Sequence, residues 1–192
     1  MPYTVKSDMV FLDAGLFIGA IMLGDPRESE AYPIVESARK GEIRACTTVG
    51  VLSEVYAALT WVQAIKRHSP QEAQKVITRV IEEPSAILIL SDGLEASLLH
   101  LELAAKHSLT ARRIHDARHA ATALQNGITH VYTYDPLDWR DFVADGIVLA
   151  PPPPQLWRDL RQTHKSNSLR RVVKGGQYEI KATRSSLSRG YS

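Results

Sequence analysis

The chain has 192 residues, of which 44% are hydrophobic and 23% are charged, and its formal net charge is +2. This length suits one well-cored domain with a short extension, and no apolar run approaches the roughly 20 residues of a membrane span. A single cysteine, Cys46, excludes an internal disulfide and any multi-cysteine metal site. We therefore expect a cytoplasmic protein with no membrane segment.

The charge is unevenly distributed along the chain. Residues 155–192 hold nine Lys or Arg and two Asp or Glu, whereas residues 1–154 hold 14 and 19. Four prolines at 151–154 favour a stiff, extended segment between the two parts. We predict a domain over residues 1–150 and a basic extension over residues 151–192. The extension either attaches the protein to an anionic partner such as nucleic acid or is a solvated tail.

The first predicted strand, residues 9–12, is followed at once by an acid. Its residues are all apolar, which is typical of a strand buried on both faces. Asp13 comes next, before an apolar helix over residues 14–23, and an amphipathic helix over residues 28–40 leads to a second strand, residues 43–46. The first acid therefore lies at the carboxyl end of a strand.

Two helices follow the second strand. Thr47 and Thr48 are predicted to cap the first, which carries an apolar stripe with Glu54 beside it in the second turn. The sequence Ser69-Pro70-Gln71-Glu72 starts the other, because it combines a capping box with proline at the first helical position. A second acid thus lies just after a second strand.

A third strand is predicted over residues 86–90, and Ser91 with Asp92 is predicted to open the helix that follows. That helix is indicated by apolar residues at helical spacing, namely Leu94, Leu98, Leu101 and Ala105.

The stretch before the predicted domain end is the most informative. Small residues at helical spacing predict a helix that lies close to a sheet, with Asp116 in its first turn and Asn126-Gly127 as its stop. Residues 129–133 are prone to form a strand, and Asp135 and Asp138 come just past its end. Two more acids therefore follow a strand.

With a last strand at residues 147–149, strands alternate with helices throughout, which predicts an α/β domain with a central, mainly parallel sheet. Ligands of such sheets bind beyond the carboxyl ends of the strands. The acids expected to meet there are Asp13, Glu54, Asp116, Asp135 and Asp138.

Converging carboxylates repel one another unless cations are bound. Hard ions such as Mg²⁺ or Mn²⁺ take oxygen ligands and activate water for attack on a phosphodiester. The pattern therefore predicts a metal-dependent nuclease. The alternative for each acid is a helix cap or a solvated turn residue.

Four segments carry a resemblance to a known family. They are residues 10–14, 47–54, 114–124 with Gly127, and 133–139. In this order they are similar to the motifs of the PIN domain, particularly of VapC-type toxin ribonucleases, over residues 8–149. The resemblance implies a three-layer α/β/α PIN-like domain that is a metal-dependent endoribonuclease acting on RNA.

The resemblance also implies the roles of individual residues. Asp13, Glu54 and Asp116 would hold Mg²⁺ or Mn²⁺ with an acid of the final turn, for which Asp135 and Asp138 both remain candidates because family members use either position. Thr133 would orient the site through its hydroxyl. A cognate antitoxin and a homodimer are expected as well.

One departure from the family's pattern follows the first acid. Ala14 and Gly15 replace the Ser or Thr and the Asn that are often found there. A hydrogen bond that supports the first acid is therefore expected to be missing.

Basic side chains near Asp116 supply further candidates. Arg112, Arg113 and Arg118 would bind substrate phosphates by charge-assisted hydrogen bonds, unless they are simply solvated. His115 and His119 are spaced as on a zinc-binding helix, but no third ligand is evident, and we interpret them as residues of the site's rim. The three tryptophans, Trp61, Trp139 and Trp157, are expected to pack in the core or at an interface rather than stack on bases.

Two other functions stay open. One is a PIN nuclease of RNA maturation without a toxin role, and the other is a non-catalytic RNA-binding or scaffold protein whose acids merely cap helices. A serine hydrolase or nucleotide kinase lacks support, because the chain has neither a GxSxG elbow nor a glycine-rich phosphate loop.

Overall fold

The structure is a computed structural model that describes residues 9–64, 66–150, 172–174 and 177–179. The chain divides into two compact units, residues 1–153 and 154–192. The first unit contains the α/β domain. In the second unit, the short strands Val172–Lys174 and Gln177–Glu179 pair antiparallel. No helix in the described ranges has both the length and the apolar character needed to cross a bilayer.

The domain is built on a sheet of five strands. They are β1 (Val10–Leu12), β2 (Ala45–Thr48), β3 (Leu88–Leu90), β4 (His130–Tyr132) and β5 (Val148–Leu149). Their order across the sheet is β3-β2-β1-β4-β5, and all four pairings are parallel. The predicted α/β class with a central parallel sheet is confirmed.

Helices flank this sheet. They are α1 (Ala14–Ile21), α2 (Glu28–Arg39), α3 (Val49–Thr60), α4 (Pro70–Ile81), α5 (Leu94–Lys106), α6 (Arg113–Gln125) and α7 (Pro136–Trp139), and a 3₁₀ helix (Arg140–Asp145) follows α7. The helices α1 and α2 pack together, as do α5 and α6, while α3 packs on α1 and α4.

Several helix ends follow the signals in the sequence. Asp13 caps α1 and Thr48 caps α3 through their side-chain oxygens, and the predicted capping box at Ser69 starts α4. The carboxyl end of α6 is capped by Asn126, as predicted, and the next residue, Gly127, has a φ of +70°, which favours glycine.

Thr47, in contrast, was wrongly predicted to cap a helix. It belongs to β2, which extends to Thr48 rather than ending at residue 46. Its hydroxyl donates to the carbonyl oxygen of Leu12 at 3.0 Å, and this bond ties β2 to the end of β1. A β-branched residue inside a buried sheet is an ordinary outcome, which the capping preference of threonine had obscured.

The predicted opening of α5 at Ser91 and Asp92 is also wrong. The residue at the N-cap is Gly93, which makes no side-chain cap. The carboxylate of Asp92 instead binds the guanidinium of Arg118 and accepts the hydroxyl of Thr122 at 2.9 Å. A tertiary ion pair has replaced the local cap.

The leucines that indicate α5 in the sequence point outward. Leu94, Leu98 and Leu101 are 72%, 55% and 59% exposed. The face of α5 buried in the domain carries other residues, among them Leu103 and Ala104.

The α6 helix lies close to the first strand, as its small residues predict. Ala117, Ala120 and Ala121 are fully buried. The ring of His119 is 6.2 Å from that of Phe11 in β1, and Phe11 in turn lies 5.5 Å from Trp139 of α7. The carboxyl end of β1, the start of α6 and α7 therefore meet at one place.

Candidate active site

A cavity of about 230 Å³ lies at the carboxyl ends of β1 and β4. Its lining comprises Asp13, Ala14, Gly15, Arg27, Glu54, Asp116, Tyr134, Asp135, Asp138 and Trp139. All five predicted acids are thus brought together. Strand ends place three of them: Asp13 directly follows β1, and the turn with Asp135 and Asp138 follows β4. The other two, Glu54 and Asp116, are carried by α3 and α6.

The side chain of Asp13 is held by three hydrogen bonds. Its Oδ1 accepts the backbone N–H of Ala14 at 2.8 Å. Its Oδ2 accepts the hydroxyl of Thr133 at 2.7 Å and the indole N–H of Trp139 at 3.3 Å. Burial raises the pKa of Asp13 above its ordinary value, and the hydrogen bonds oppose that rise. The carboxylate is therefore fixed in orientation.

The hydroxyl of Thr133 is oriented in turn by the final turn. It accepts the backbone N–H of Asp135 at 2.9 Å while it donates to Asp13. Asp13 thus has supporting side-chain hydrogen bonds despite Ala14 and Gly15, and they come from Thr133, just after β4, and from Trp139 of α7.

Glu54 is positioned by a buried chain of side chains. Its Oε1 lies 2.8 Å from Nε2 of His119, whose Nδ1 lies 3.0 Å from the hydroxyl of Thr48. Thr48 Oγ1 also accepts the backbone N–H of Val51, so the chain of contacts starts at the first turn of α3. His119 therefore links the cap of α3 to Glu54.

A glycine in α3 makes room for that imidazole. A Cβ at Gly50 would lie 2.7 Å from Cε1 of His119, closer than real Cβ contacts. The predicted place of His119 on the rim is therefore wrong, because the side chain is only 2% exposed. Both of its ring nitrogens have protein partners and His115 is exposed, so the zinc interpretation lacks ligands here.

Asp116 has a strongly altered ionisation. Burial, the negative charges of Asp138 and Asp13, and to a smaller degree Glu54 raise the pKa of Asp116 to about 7. Of these charges, that of Asp138 raises the pKa of Asp116 most, whereas the exposed Asp135 is not among the residues that raise it. The acids therefore interact with one another across the cavity.

The donor set fits a hard divalent cation. Within the described part of the chain, no group of three or more acidic, histidine or cysteine side chains is arranged to hold one ion. Mg²⁺ usually keeps several waters and needs only one or two carboxylates from the protein, so an open group of carboxylates suits it. Burial and, after it, the neighbouring carboxylates raise the pKa of Asp116, and a bound cation would favour the ionised form against both.

The structure brings none of the three predicted arginines into this cavity. Arg112 is exposed, Arg113 pairs with Asp141, and Arg118 pairs with Asp92. The charge of Arg113 still acts on Asp116 and Asp138 from outside the cavity, although its direct partner is Asp141.

The arginine that does line the cavity is Arg27, which sequence reasoning missed. Its guanidinium is bound by Asp25 and lies 5.4 Å from the ring centre of Tyr134. Asp25-Pro26-Arg27 before α2 was the only signal available, and it is common at helix starts.

Comparison with known proteins gives the same fold. A PIN domain family model matches residues 10–140. VapC20 of Mycobacterium tuberculosis, a sarcin–ricin loop cleaving toxin, is 20% identical with a TM-score of 0.56, over 74% of this chain and 99% of that chain. DNA-bound VapBC of Salmonella typhimurium is 20% identical with a TM-score of 0.51, over 74% and 97%. VapBC-1 of nontypeable Haemophilus influenzae is 12% identical with a TM-score of 0.52, over 78% and 98%. No curated protein sequence matches the chain.

Proposed function

Because the chain belongs to the PIN domain family, we propose that it is a metal-dependent endoribonuclease that hydrolyses RNA phosphodiester bonds. The observation that carries the proposal is the shared cavity of five acids, in which mutual repulsion and burial raise the pKa of Asp116 to about 7. A group of carboxylates that costs free energy when ionised is expected to persist where it binds a cation.

Mg²⁺ or Mn²⁺ would be held by one or two carboxylates among Asp13, Asp116 and Asp138, with Glu54 beside them, and when bound it would supply a water of lowered pKa and charge stabilisation at the phosphate. The chain's own side chains fix the geometry. Thr133 and Trp139 hold Asp13 in one orientation. Glu54 uses one oxygen for His119 and has the other to accept a hydrogen from the attacking water.

We favour Asp138 over Asp135 as the last acid of the site, because Asp138 is the larger influence on Asp116 and Asp135 is exposed. Asp138→Asn should lower the pKa of Asp116 and impair cleavage more than Asp135→Asn. Comparing the pH profile of cleavage by the two variants tests this assignment. Equal profiles would contradict the preference for Asp138, and a larger effect of Asp135→Asn would assign the position to Asp135.

The toxin role is part of the same proposal. The chain shares the fold of VapC20 and of VapC proteins in VapBC complexes, which supports a toxin restrained by a cognate antitoxin in the cytoplasm. The predicted role of the basic extension, residues 151–192, in RNA attachment concerns a segment that lies mostly outside the described residues.

The predicted homodimer has support from α5. Leu94, Leu98 and Leu101 form an exposed apolar row at helical spacing, and such patches mark interfaces. Leu98→Glu should shift a dimer to monomer in sedimentation equilibrium. A monomeric wild type would contradict the homodimer.

The deciding experiment is an RNA cleavage assay on the full chain with total cellular RNA, in Mg²⁺ or Mn²⁺ and in EDTA. Discrete fragments should require both the metal and Asp116, so Asp116→Asn should be inactive while Glu82→Gln, an equivalent change outside the site, cleaves normally. Retained cleavage by Asp116→Asn contradicts the metal site. No cleavage by folded, metal-loaded wild type favours a non-catalytic RNA-binding protein, and harmless expression without a partner favours RNA maturation.

A further inference from the structure

We propose that Arg27 is a substrate-binding residue whose guanidinium, held by Asp25 beside Gly15 and Tyr134, binds an RNA phosphate next to the scissile one. This inference rests on the proposed endoribonuclease function. It assigns the positive charge that an acidic cavity needs in order to hold a polyanion.

The guanidinium is fixed by a fork-shaped ion pair. Arg27 Nε donates to Asp25 Oδ1 at 2.9 Å, and Nη2 donates to Oδ2 at 2.7 Å. The same Oδ1 accepts the backbone N–H of Arg27 at 2.9 Å, so the carboxylate is itself anchored. Asp25 is 8% exposed, whereas the Arg27 side chain is 35% exposed. The arginine is therefore oriented in advance, and one of its edges remains in contact with solvent.

The remaining terminal nitrogen is on the side of the cavity. Among the described residues Nη1 of Arg27 has no hydrogen-bond acceptor. A Cβ added at Gly15 would lie 3.5 Å from this nitrogen and 3.6 Å from Tyr134. A side chain longer than the Cβ of alanine at position 15 would occupy the space next to Nη1 of Arg27. The glycine thus leaves the guanidinium open to a ligand in the cavity.

Charge is the second reason. Arg27 is the one basic residue among those that line the described cavity, and five acids line it as well. Even with a bound divalent ion, an RNA strand that enters would meet carboxylates on most sides. An arginine that is already oriented offers the phosphate charge-assisted hydrogen bonds and lowers this repulsion.

The competing explanation is that Arg27 only fixes the turn between α1 and α2. A Cβ at Gly19 would lie 3.1 Å from Cβ of Arg27, so the residue does pack against α1. A structural role would change stability, whereas a phosphate contact changes RNA affinity and its dependence on salt. The two roles are therefore separable by measurement.

A second arginine supplies a matched control. Arg39 forms the same kind of two-point ion pair with Glu36: Nε donates to Oε2 at 3.0 Å and Nη2 donates to Oε1 at 3.1 Å. The side chain of Arg39 is 27% exposed. It lines a different cavity. Arg39→Gln removes an equivalent ion pair without touching the acidic cavity.

The experiment uses the full chain and a single-stranded RNA oligonucleotide that spans a cleavage site found with wild type. Arg27→Gln should raise KM about 10- to 100-fold with little change in kcat, because a contact to a flanking phosphate is present in both ground and transition states. The slope of log kcat/KM against log salt concentration should become shallower by about 0.7, as one phosphate contact is lost. Arg27→Lys should be intermediate, and Arg39→Gln should match wild type.

A second pair of variants leaves Arg27 in place. Gly15→Val should raise KM because it fills the space beside Nη1, whereas Gly15→Ala, whose Cβ makes only ordinary contacts, should have a much smaller effect. This pair decides the matter if Arg27→Gln fails to fold. An unchanged KM in Gly15→Val would then overturn the inference.

The results also separate this inference from the proposed function. Wild type that cleaves, with an Arg27→Gln variant whose KM and salt slope equal those of Arg39→Gln, overturns the role of Arg27 alone. Wild type that does not cleave any RNA overturns the function and the inference together.

Discussion

Two cavities of the domain have similar sizes and different chemistry. The cavity at the ends of β1 and β4 measures about 230 Å³ and is lined by five acids and Arg27. The other measures about 300 Å³ and is lined by residues of α2 and α4 and of the segment after α4, including three basic and two acidic side chains. In the second cavity, basic and acidic side chains occur in nearly equal numbers, three against two. In the first cavity, five acids face one arginine, and their charges add to the effect of burial in raising the pKa of Asp116.

The comparison teaches that volume does not identify a site. The larger cavity is lined by α2, α4 and the segment after α4, where side chains of opposite charge lie near one another at little cost in free energy. The smaller one gathers carboxylates at the carboxyl ends of parallel strands, where burial makes their repulsion stronger. Unbalanced charge that the fold maintains is the more informative feature, and each prediction below tests whether this imbalance is functional.

The largest expected difference between the cavities concerns Asp13. Asp13→Asn should reduce cleavage roughly 100- to 1,000-fold, because the amide has no charge and its NH₂ would face a donor in either position, Ala14 on one side or Thr133 and Trp139 on the other. Steady-state kinetics with the RNA oligonucleotide measures the effect. Glu83→Gln in the other cavity should retain wild-type rates, and a comparable loss there would remove the distinction between the cavities.

The buried support of the acidic cavity should be visible in stability. His119→Leu should lower the free energy of unfolding by about 1–3 kcal/mol, because it removes the buried hydrogen-bond partner of the Thr48 hydroxyl. Urea unfolding measures it. The control is His115→Leu at an exposed position of the same helix, which should stay within about 0.5 kcal/mol of wild type. Equal effects of the two changes would mean that the chain from Thr48 to Glu54 contributes nothing.

Metal binding should depend on pH in a way set by Asp116. Since the pKa of Asp116 is raised to about 7, a cation must displace a proton at lower pH. The Kd for Mn²⁺ should therefore fall about tenfold for each unit by which the pH rises towards about 7, and it should be constant at higher pH. Calorimetric titration at several pH values tests this. A pH-independent Kd would show that Asp116 is not a ligand.

The smallest effect is expected in the stability of the metal-free protein. The pKa of Asp116 is about 7 when folded, above the ordinary value of 3.8, so its contribution to stability is fully present below the ordinary value and is lost as pH rises through about 7. Because the group is half-buried, the loss should be less than about 1.4 kcal/mol per pH unit.

This loss can be assigned to Asp116 by comparing variants. Wild type should lose more stability than Asp116→Asn between about pH 5 and about pH 7.5 in urea unfolding. Parallel losses in the two proteins would contradict the raised pKa.

The sequence was sufficient for the features that depend on local order. Asp13 follows a buried strand, Asp116 falls in the first turn of a helix, and both positions can be read from periodicity and strand ends. Parallel strands then align their carboxyl ends without further information. The alternation of elements and the position of the acids were therefore predictable.

The features that sequence reasoning missed depend on contacts between distant residues. His119 reaches Glu54 across 65 positions and Thr48 across 71, so nothing beside it in the chain marks it as buried. Asp92 looked like a helix cap until Arg118 supplied a stronger partner. Arg27 is held locally by Asp25, but its place beside the cavity depends on Gly15 and Tyr134, which come from two other segments. Pairings of this kind follow from the fold and have no local pattern of their own.

The hydrogen bond from Trp139 to Asp13 gives the protein an optical signal of its own. The indole is 1% exposed and donates to Oδ2 of Asp13, whereas Trp61 is 58% exposed. We therefore expect Trp139 to emit at shorter wavelength than Trp61, and its emission to change when an ion, a proton or an amide alters the charge at Asp13. Occupancy of the acidic cavity should thus be measurable in unlabelled protein.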